Sequence, residues 1–159
     1  MQEDRFLIVG GGIAGLTLAL ALEKRGFASL VMERNIGSLS AGAGIQLSPN
    51  ASRILKSLGL ERPLRDYVSR PDGTKFRDWR SGKLIHKSDL GDKAETNYGA
   101  PYWQVHRADL THVLLEATRQ KSLIEFLTDC EVLKIHSKDS GTLVETSLGE
   151  EKGVGPVSY

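Results

Sequence analysis

The period of the apolar positions changes along the chain. Phe6-Leu-Ile-Val9 is a short continuous apolar run, the pattern of a strand buried on both faces in a parallel sheet. After Gly10-Gly-Gly-Ile-Ala-Gly15, the stretch Leu16 to Arg25 is rich in Leu and Ala and predicts a helix. Gly26 is placed to end it in the left-handed conformation. Ser29 to Met32 predicts a second strand leading directly into Glu33, so that strand, Gly-rich turn, helix and strand form one right-handed βαβ unit. Ser38 to Gly44 is a small-residue loop whose glycines permit close backbone approach to a ligand. Ser48-Pro49 opens a helix, with Ser as cap and Pro in the first position. Ile54, Leu55 and Leu58 give that helix an apolar face, and Gly59 ends it.

Further on, Thr74 to Arg80 and Lys83 to Lys87 flank Ser81-Gly82 and predict a β-hairpin. Tyr98 to Tyr102 reads as an aromatic loop containing Gly and Pro. Leu110, Val113, Leu114 and Ala117 recur at helical spacing. Ile124 to Leu127, Glu131 to Ile135 and Thr142 to Thr146 predict three strands, the last two joined by a turn at Asp139-Ser140-Gly141. From Gly149 the text has neither strand nor helix periodicity, so 1–148 reads as one α/β domain portion and 149–159 as a divergent tail.

Composition narrows the function classes. A chain of 159 residues has room for one domain with a core of useful size. The 21 Lys and Arg are balanced by 20 Asp and Glu, which leaves no basic surplus for a nucleic-acid partner. The lone cysteine, Cys130, cannot pair internally and reads as a buried structural thiol in a reducing compartment. The apolar stretch Phe6 to Leu22 is broken by glycines and Thr17 and preceded by Asp4 and Arg5. It reads neither as a membrane span nor as a signal peptide, and a cytoplasmic location is expected. His86, His106, His112 and His136 show no i, i+4 pair and no partnering cysteine, so no metal is expected.

The chemistry concentrates in Gly10-x-Gly12-x-x-Gly15. Gly10 makes the tight turn out of the strand, Gly12 lets a pyrophosphate approach the backbone, and Gly15 lets helix and strand pack closely. Ile13 and Ala14 open a helix whose unpaired N–H groups and positive dipole end face the phosphates. Glu33, roughly 20 residues on, sits where a carboxylate accepts hydrogen bonds from a ribose diol. It also repels a 2′-phosphate, an effect that Arg34 partly offsets. The competing readings are a Gly-rich turn without a ligand and a solvated strand-end charge. Up to this point FAD and NAD read alike.

Four segments together resemble class A flavin monooxygenases of the salicylate hydroxylase-like and 6-hydroxynicotinate 3-monooxygenase-like kind. These are Gly10 to Gly15, Val31-Met-Glu-Arg34, Ala41-Gly-Ala-Gly-Ile-Gln-Leu-Ser-Pro-Asn50 and Tyr98-Gly-Ala-Pro-Tyr-Trp-Gln-Val-His-Arg-Ala-Asp-Leu110, and the resemblance covers about residues 5–148. It implies a Rossmann-like FAD-binding α/β fold with an added β-hairpin. The ADP half of FAD would lie on Gly10, Gly12, Ile13, Ala14 and Gly15, with Glu33 on the adenosine ribose and Arg34 beside it. Ala43 and Gly44 would lie along the flavin side, Arg107 would contact FAD, and the Val132 backbone would touch the adenine end. Arg107 also suits that role physically, since a guanidinium at a helix start can grip a diphosphate bidentately; the alternative is a plain surface arginine. Gln46 stands where some relatives carry a basic histidine, and an amide takes up no proton at neutral pH. It either orients substrate or flavin or faces the loop backbone, and both readings stand. Trp79, Tyr102 and Trp103 either shape an aromatic pocket or pack in the core, with core packing favoured.

The implied activity is hydroxylation of a small aromatic substrate with NAD(P)H and O2. The rivals are a non-catalytic FAD- or nucleotide-binding fragment and half of an NAD-dependent dehydrogenase. The later Asp-Gly and Gly-Asp motifs of the family do not follow in this chain. It is therefore expected to represent the N-terminal part alone, incomplete and inactive by itself.

Overall fold

The computed structural model describes residues 5–35, 43–138 and 141–153. The chain opens with β1 (Arg5–Val9), α1 (Ile13–Glu23), β2 (Ala28–Met32), β3 (Gly44–Leu47) and α2 (Pro49–Ser57). It continues with α3 (Glu61–Leu64), β4 (Val68–Ser69), β5 (Gly73–Arg77), β6 (Leu84–Asp89) and α4 (Gly91–Tyr98). β7 (Trp103–His106), α5 (Arg107–Arg119), β8 (Ile124–Leu127), β9 (Val132–Lys138), β10 (Gly141–Thr146) and β11 (Gly149–Gly153) complete it. Two compact units result. Unit 1 joins the N-terminal part to residues from Thr111 onward, and unit 2 is the intervening segment up to Leu110.

Unit 1 contains the predicted βαβ unit. β1 and β2 pair in parallel, and β8 adds in parallel on the other side of β2. β2 is buried on both faces, as the apolar run Leu30-Val-Met32 requires. Leu30 and Met32 pack with Cys130 and Val144 on one side, while Val31 packs with Ile8 and Ala19 on the other. Cys130 is thus a core thiol. α1 buries Leu16, Ala19 and Leu20, and Gly26 past its end has φ +81°. β9, β10 and β11 form an antiparallel sheet. The buried Arg5 guanidinium donates to Glu125 Oε2 at 2.6 Å and Glu151 Oε2 at 2.5 Å, tying β1 to β8 and β11.

In unit 2, β3 and β4 flank β7 in an antiparallel sheet. Its strands alternate. Leu47, Trp103 and Val105 are buried on one face, whereas Gly44, Gln46, Gln104 and His106 are exposed on the other. Ser48 precedes α2 and Pro49 is its first residue, as expected, although the Ser48 side chain makes no capping bond. The predicted hairpin is β5–β6, and its turn is held by Asp78, which accepts from Ser81 N and Oγ at 2.7 and 2.6 Å.

Four readings need correction. Ile54 is half exposed, because α2 turns Ser52 and Leu55 inward and Ile54 lies off that face. Gly91–Tyr98, which the sequence does not signal, is a helix ended by Gly99 at φ +70°. Gly149–Gly153 lacks strand periodicity yet forms β11, because β10 supplies its hydrogen bonds. Trp79 is 83% exposed at the hairpin tip, where the Arg80 guanidinium lies 4.8 Å from its ring centroid, so it does not pack in the core. Residues 38–42 of the small-residue loop and Asp139-Ser140 of the predicted turn lie outside the described residues.

Candidate dinucleotide-binding site

The Gly-rich turn is built residue by residue. Gly10 adopts φ +99°, a conformation that disfavours any side chain, and its N–H donates to Met32 O at 2.8 Å. At Gly15 a Cβ would fall 2.0 Å from Gly10 O, so only glycine lets the first turn of α1 approach β1 this closely. At Gly12 a Cβ would meet nothing within 4 Å. The space in front of it is open for a ligand. The first helical bond runs from Leu16 N to Gly12 O, so the N–H groups of Ile13, Ala14 and Gly15 precede the helical ladder. The first turn carries no acidic side chain to compete with an anion.

Glu33 follows β2 and closes over this turn. Its Oε2 accepts from Gly11 N at 2.6 Å and its Oε1 from Asn35 N at 2.7 Å. A carboxylate has about four lone-pair sites, so both oxygens keep acceptor capacity for further hydroxyls. The middle glycine, Gly11, is a requirement that the sequence reading missed. A Cβ there would come within 2.7 Å of Phe126 Cζ and 3.0 Å of Glu33 Cβ. No local signal marks it, since Phe126 arrives on β8 through the tertiary fold.

Unit 1 also brings the Glu33–Arg34 and Cys130–Val132 segments together. Cys130 N donates to Glu33 O at 3.0 Å, and Arg34 Nη1 stands 3.4 Å from Glu131 Oε1 in an exposed and therefore weak pair. The half-buried Val132 side chain packs against the cluster of Leu30, Met32, Cys130 and Val144. Unit 2 holds the remaining candidates. Arg107, exposed at the start of α5, donates its N–H to Ala43 O at 3.2 Å, and Gly44 pairs with His106, so Ala43, Gly44 and Arg107 are neighbours. Gln46 Oε1 accepts from the Tyr102 hydroxyl at 2.7 Å. A cavity of about 470 Å³ in this unit is lined by Gly44, Gln46, Tyr67, Ser69, Gln104 and His106 among others. Gln104 was missed as a candidate, although the alternation Trp103, Val105 against Gln104, His106 carries the signal.

His136 Nε2 lies 2.7 Å from Glu145 Oε1, and His86 Nε2 lies 2.8 Å from Ser88 Oγ. Among the described residues no group of three or more His, Cys, Asp or Glu side chains is placed to hold a metal. No described helix is long and apolar enough to cross a membrane.

A parallel βαβ unit with an open glycine at the head of its helix and a carboxylate at the end of its second strand defines a dinucleotide-binding protein. The chain matches the FAD binding domain over residues 4–155 and belongs to that family. FAD, and not a nicotinamide dinucleotide, is therefore the cofactor of this fold. The chain is 39% identical over 154 residues to 3-amino-4-hydroxybenzoate 2-monooxygenase of Streptomyces cremeus, covering 92% of itself and 39% of that protein. It is 34% identical over 153 residues to 6-hydroxynicotinate 3-monooxygenase of Bordetella bronchiseptica, with 92% and 39% covered. The crystal structure of p-nitrophenol 4-monooxygenase from Pseudomonas putida shares the fold at a TM-score of 0.82 and 24% identity, over 94% of this chain and 38% of that one. The chain thus spans about two fifths of the length of these curated relatives.

Proposed function

We propose that this chain is the FAD-holding portion of a monooxygenase that hydroxylates a small aromatic substrate with NAD(P)H and O2. The observation that carries the reading is the clasp of Glu33 on Gly11, which holds the turn with Gly12 open and the N–H groups of Ile13, Ala14 and Gly15 ahead of the helical ladder. A diphosphate fits that arrangement in charge and in space. In this reading Gly10 shapes the turn, Gly12, Ile13 and Ala14 face the diphosphate, and Gly15 keeps the helix close to the strand. Glu33 accepts from the adenosine ribose with Arg34 beside it, and the backbone at Val132 borders the adenine. Ala43 and Gly44 lie along the flavin, and Arg107 binds the cofactor through its guanidinium. Bound there, FAD would supply the redox chemistry, taking electrons from NAD(P)H for the activation of O2. The residues named here bind, orient and keep water away, which is the protein's share of such chemistry. The relatives named above, by their names, act on aminohydroxybenzoate and hydroxynicotinate; we assign this protein a substrate of the same kind, an aromatic ring bearing oxygen or nitrogen substituents.

The test supplies purified protein with FAD, NADH or NADPH, O2 and a panel of hydroxybenzoates and hydroxypyridine carboxylates, and assays product by mass. A ring-hydroxylated product one oxygen heavier supports the reading. Bound flavin with no product from the full-length protein returns it to a non-catalytic FAD-binding module.

A further inference from the structure

The exposed face of the β3–β7–β4 sheet presents a row of uncharged hydrogen-bonding side chains. Gln46 lies directly opposite Gln104, and Gln104 directly opposite Ser69, so the three share one face across three strands. All three line the 470 Å³ cavity of unit 2. Neither amide gains or loses a proton near neutral pH, so this row can discriminate only by donor and acceptor pattern. One member is not symmetric in that respect. The Tyr102 hydroxyl donates to Gln46 Oε1 at 2.7 Å, which engages the carbonyl end of the amide. Turning the amide over would make its N–H the donor and the phenol oxygen the acceptor, the weaker of the two arrangements because a phenol donates more readily than it accepts.

We propose that Tyr102 is a positioning residue that presents the Gln46 Nε2 hydrogens to the cavity, and that Gln46 thereby selects aromatic rings carrying a hydrogen-bond acceptor at that point. The proposal rests on the reading that the substrate is an aromatic ring. A ring with an oxygen acceptor there gains a hydrogen bond. A ring with only an N–H donor meets another donor, and leaving such a group unmatched is what separates close analogues in a polar site.

The experiment uses titration calorimetry with matched ring pairs, 4-nitrobenzoate against 4-aminobenzoate and the 3-substituted pair, on protein supplied with saturating FAD. Three proteins are compared: wild type, Gln46→Glu and Tyr102→Phe. In wild type the nitro member of one pair binds tighter by about fivefold, the size of one net hydrogen bond. Gln46→Glu offers only acceptors and reverses the preference; its repulsion of the ring carboxylate is common to both members of a pair, so the ratio reports the contact with the nitro or amino group. Tyr102→Phe frees the amide to turn and brings the ratio toward one, with FAD affinity unchanged. The same preference in all three proteins, or no binding of any of these benzoates to wild type, overturns the proposal. The ratio is read whether or not flavin is bound, so failure to bind FAD overturns the reading of the fold's cofactor and not this one.

Discussion

Gly12 and Gly15 stand three residues apart and are glycine for opposite reasons. A Cβ at Gly15 would overlap Gly10 O at 2.0 Å, inside the protein itself, whereas a Cβ at Gly12 would meet open space. Gly15→Ala is therefore expected to destabilise unit 1 by about 2 kcal/mol, the cost of forcing helix and strand apart. Gly12→Val should leave the thermal midpoint within a few degrees of wild type and abolish FAD binding, because the side chain fills the space of the diphosphate. Calorimetric melting and flavin titration of the two variants check both halves. Stoichiometric flavin on Gly12→Val would place the phosphate site elsewhere.

Glu33 is the second residue whose role the structure sharpens. It accepts from Gly11 and Asn35 N–H groups and keeps lone pairs for further donors, in the proposed site the hydroxyls of a ribose. Glu33→Ala removes both functions, and Glu33→Gln keeps an acceptor for one N–H but opposes the other with its own amide hydrogens. Loss of a hydrogen bond to a charged acceptor costs about 1.5–3 kcal/mol, so the Ala variant should bind FAD at least about tenfold more weakly than wild type. The Gln variant should fall between them. Equal affinity of wild type and Ala would contradict the ribose assignment.

At the scale of elements, Asp89 joins the end of β6 to the start of α4. Lys93 Nζ lies 2.6 Å from one of its oxygens and Lys87 Nζ 2.9 Å from the other. The hydrogen bond from Lys93, then that from Lys87, holds its carboxyl down to about 2, against the ordinary 3.8. With the folded value depressed, the stabilisation is present above about pH 3.8 and is lost as the pH falls through about 2. Carbon-13 NMR of the Asp89 carboxyl should show a midpoint near 2, and a midpoint at the ordinary 3.8 would mean that the lysines do not hold it in solution.

The same scale shows what could be read in advance. β1, α1, β2, β8 and α5 announce themselves because their apolar runs or helical spacing reflect burial of whole faces, as with Leu30, Val31 and Met32 on β2. α4 was illegible since Gly91–Tyr98 buries only Ala94. β11 was illegible because Gly-Glu-Glu-Lys-Gly has no apolar residue and is held by β10 and by Arg5 on Glu151. β3 and β7 carry a period-two signal in Ile45, Leu47, Trp103 and Val105. The candidate site divides in the same way. Its glycines and Glu33 could be read because their spacing is local. The Gly11–Phe126 approach and the Gln46–Tyr102 bond, which spans 56 residues, arise from tertiary folding.

For the whole molecule the central claim is that the βαβ unit of unit 1 holds FAD. It rests on a helix start whose first N–H groups precede the helical ladder, an open glycine and a clasped carboxylate, all placed by the parallel pairing of β1 and β2. The direct measurement is a titration of the purified, flavin-stripped protein with FAD, followed by flavin fluorescence and absorbance, with NAD+ and NADP+ as competitors. The account predicts one FAD per chain, bound at micromolar concentration or below, and no displacement by NAD+ or NADP+ at tenfold excess. Saturable NAD+ binding on a protein that stays colourless with FAD would contradict it.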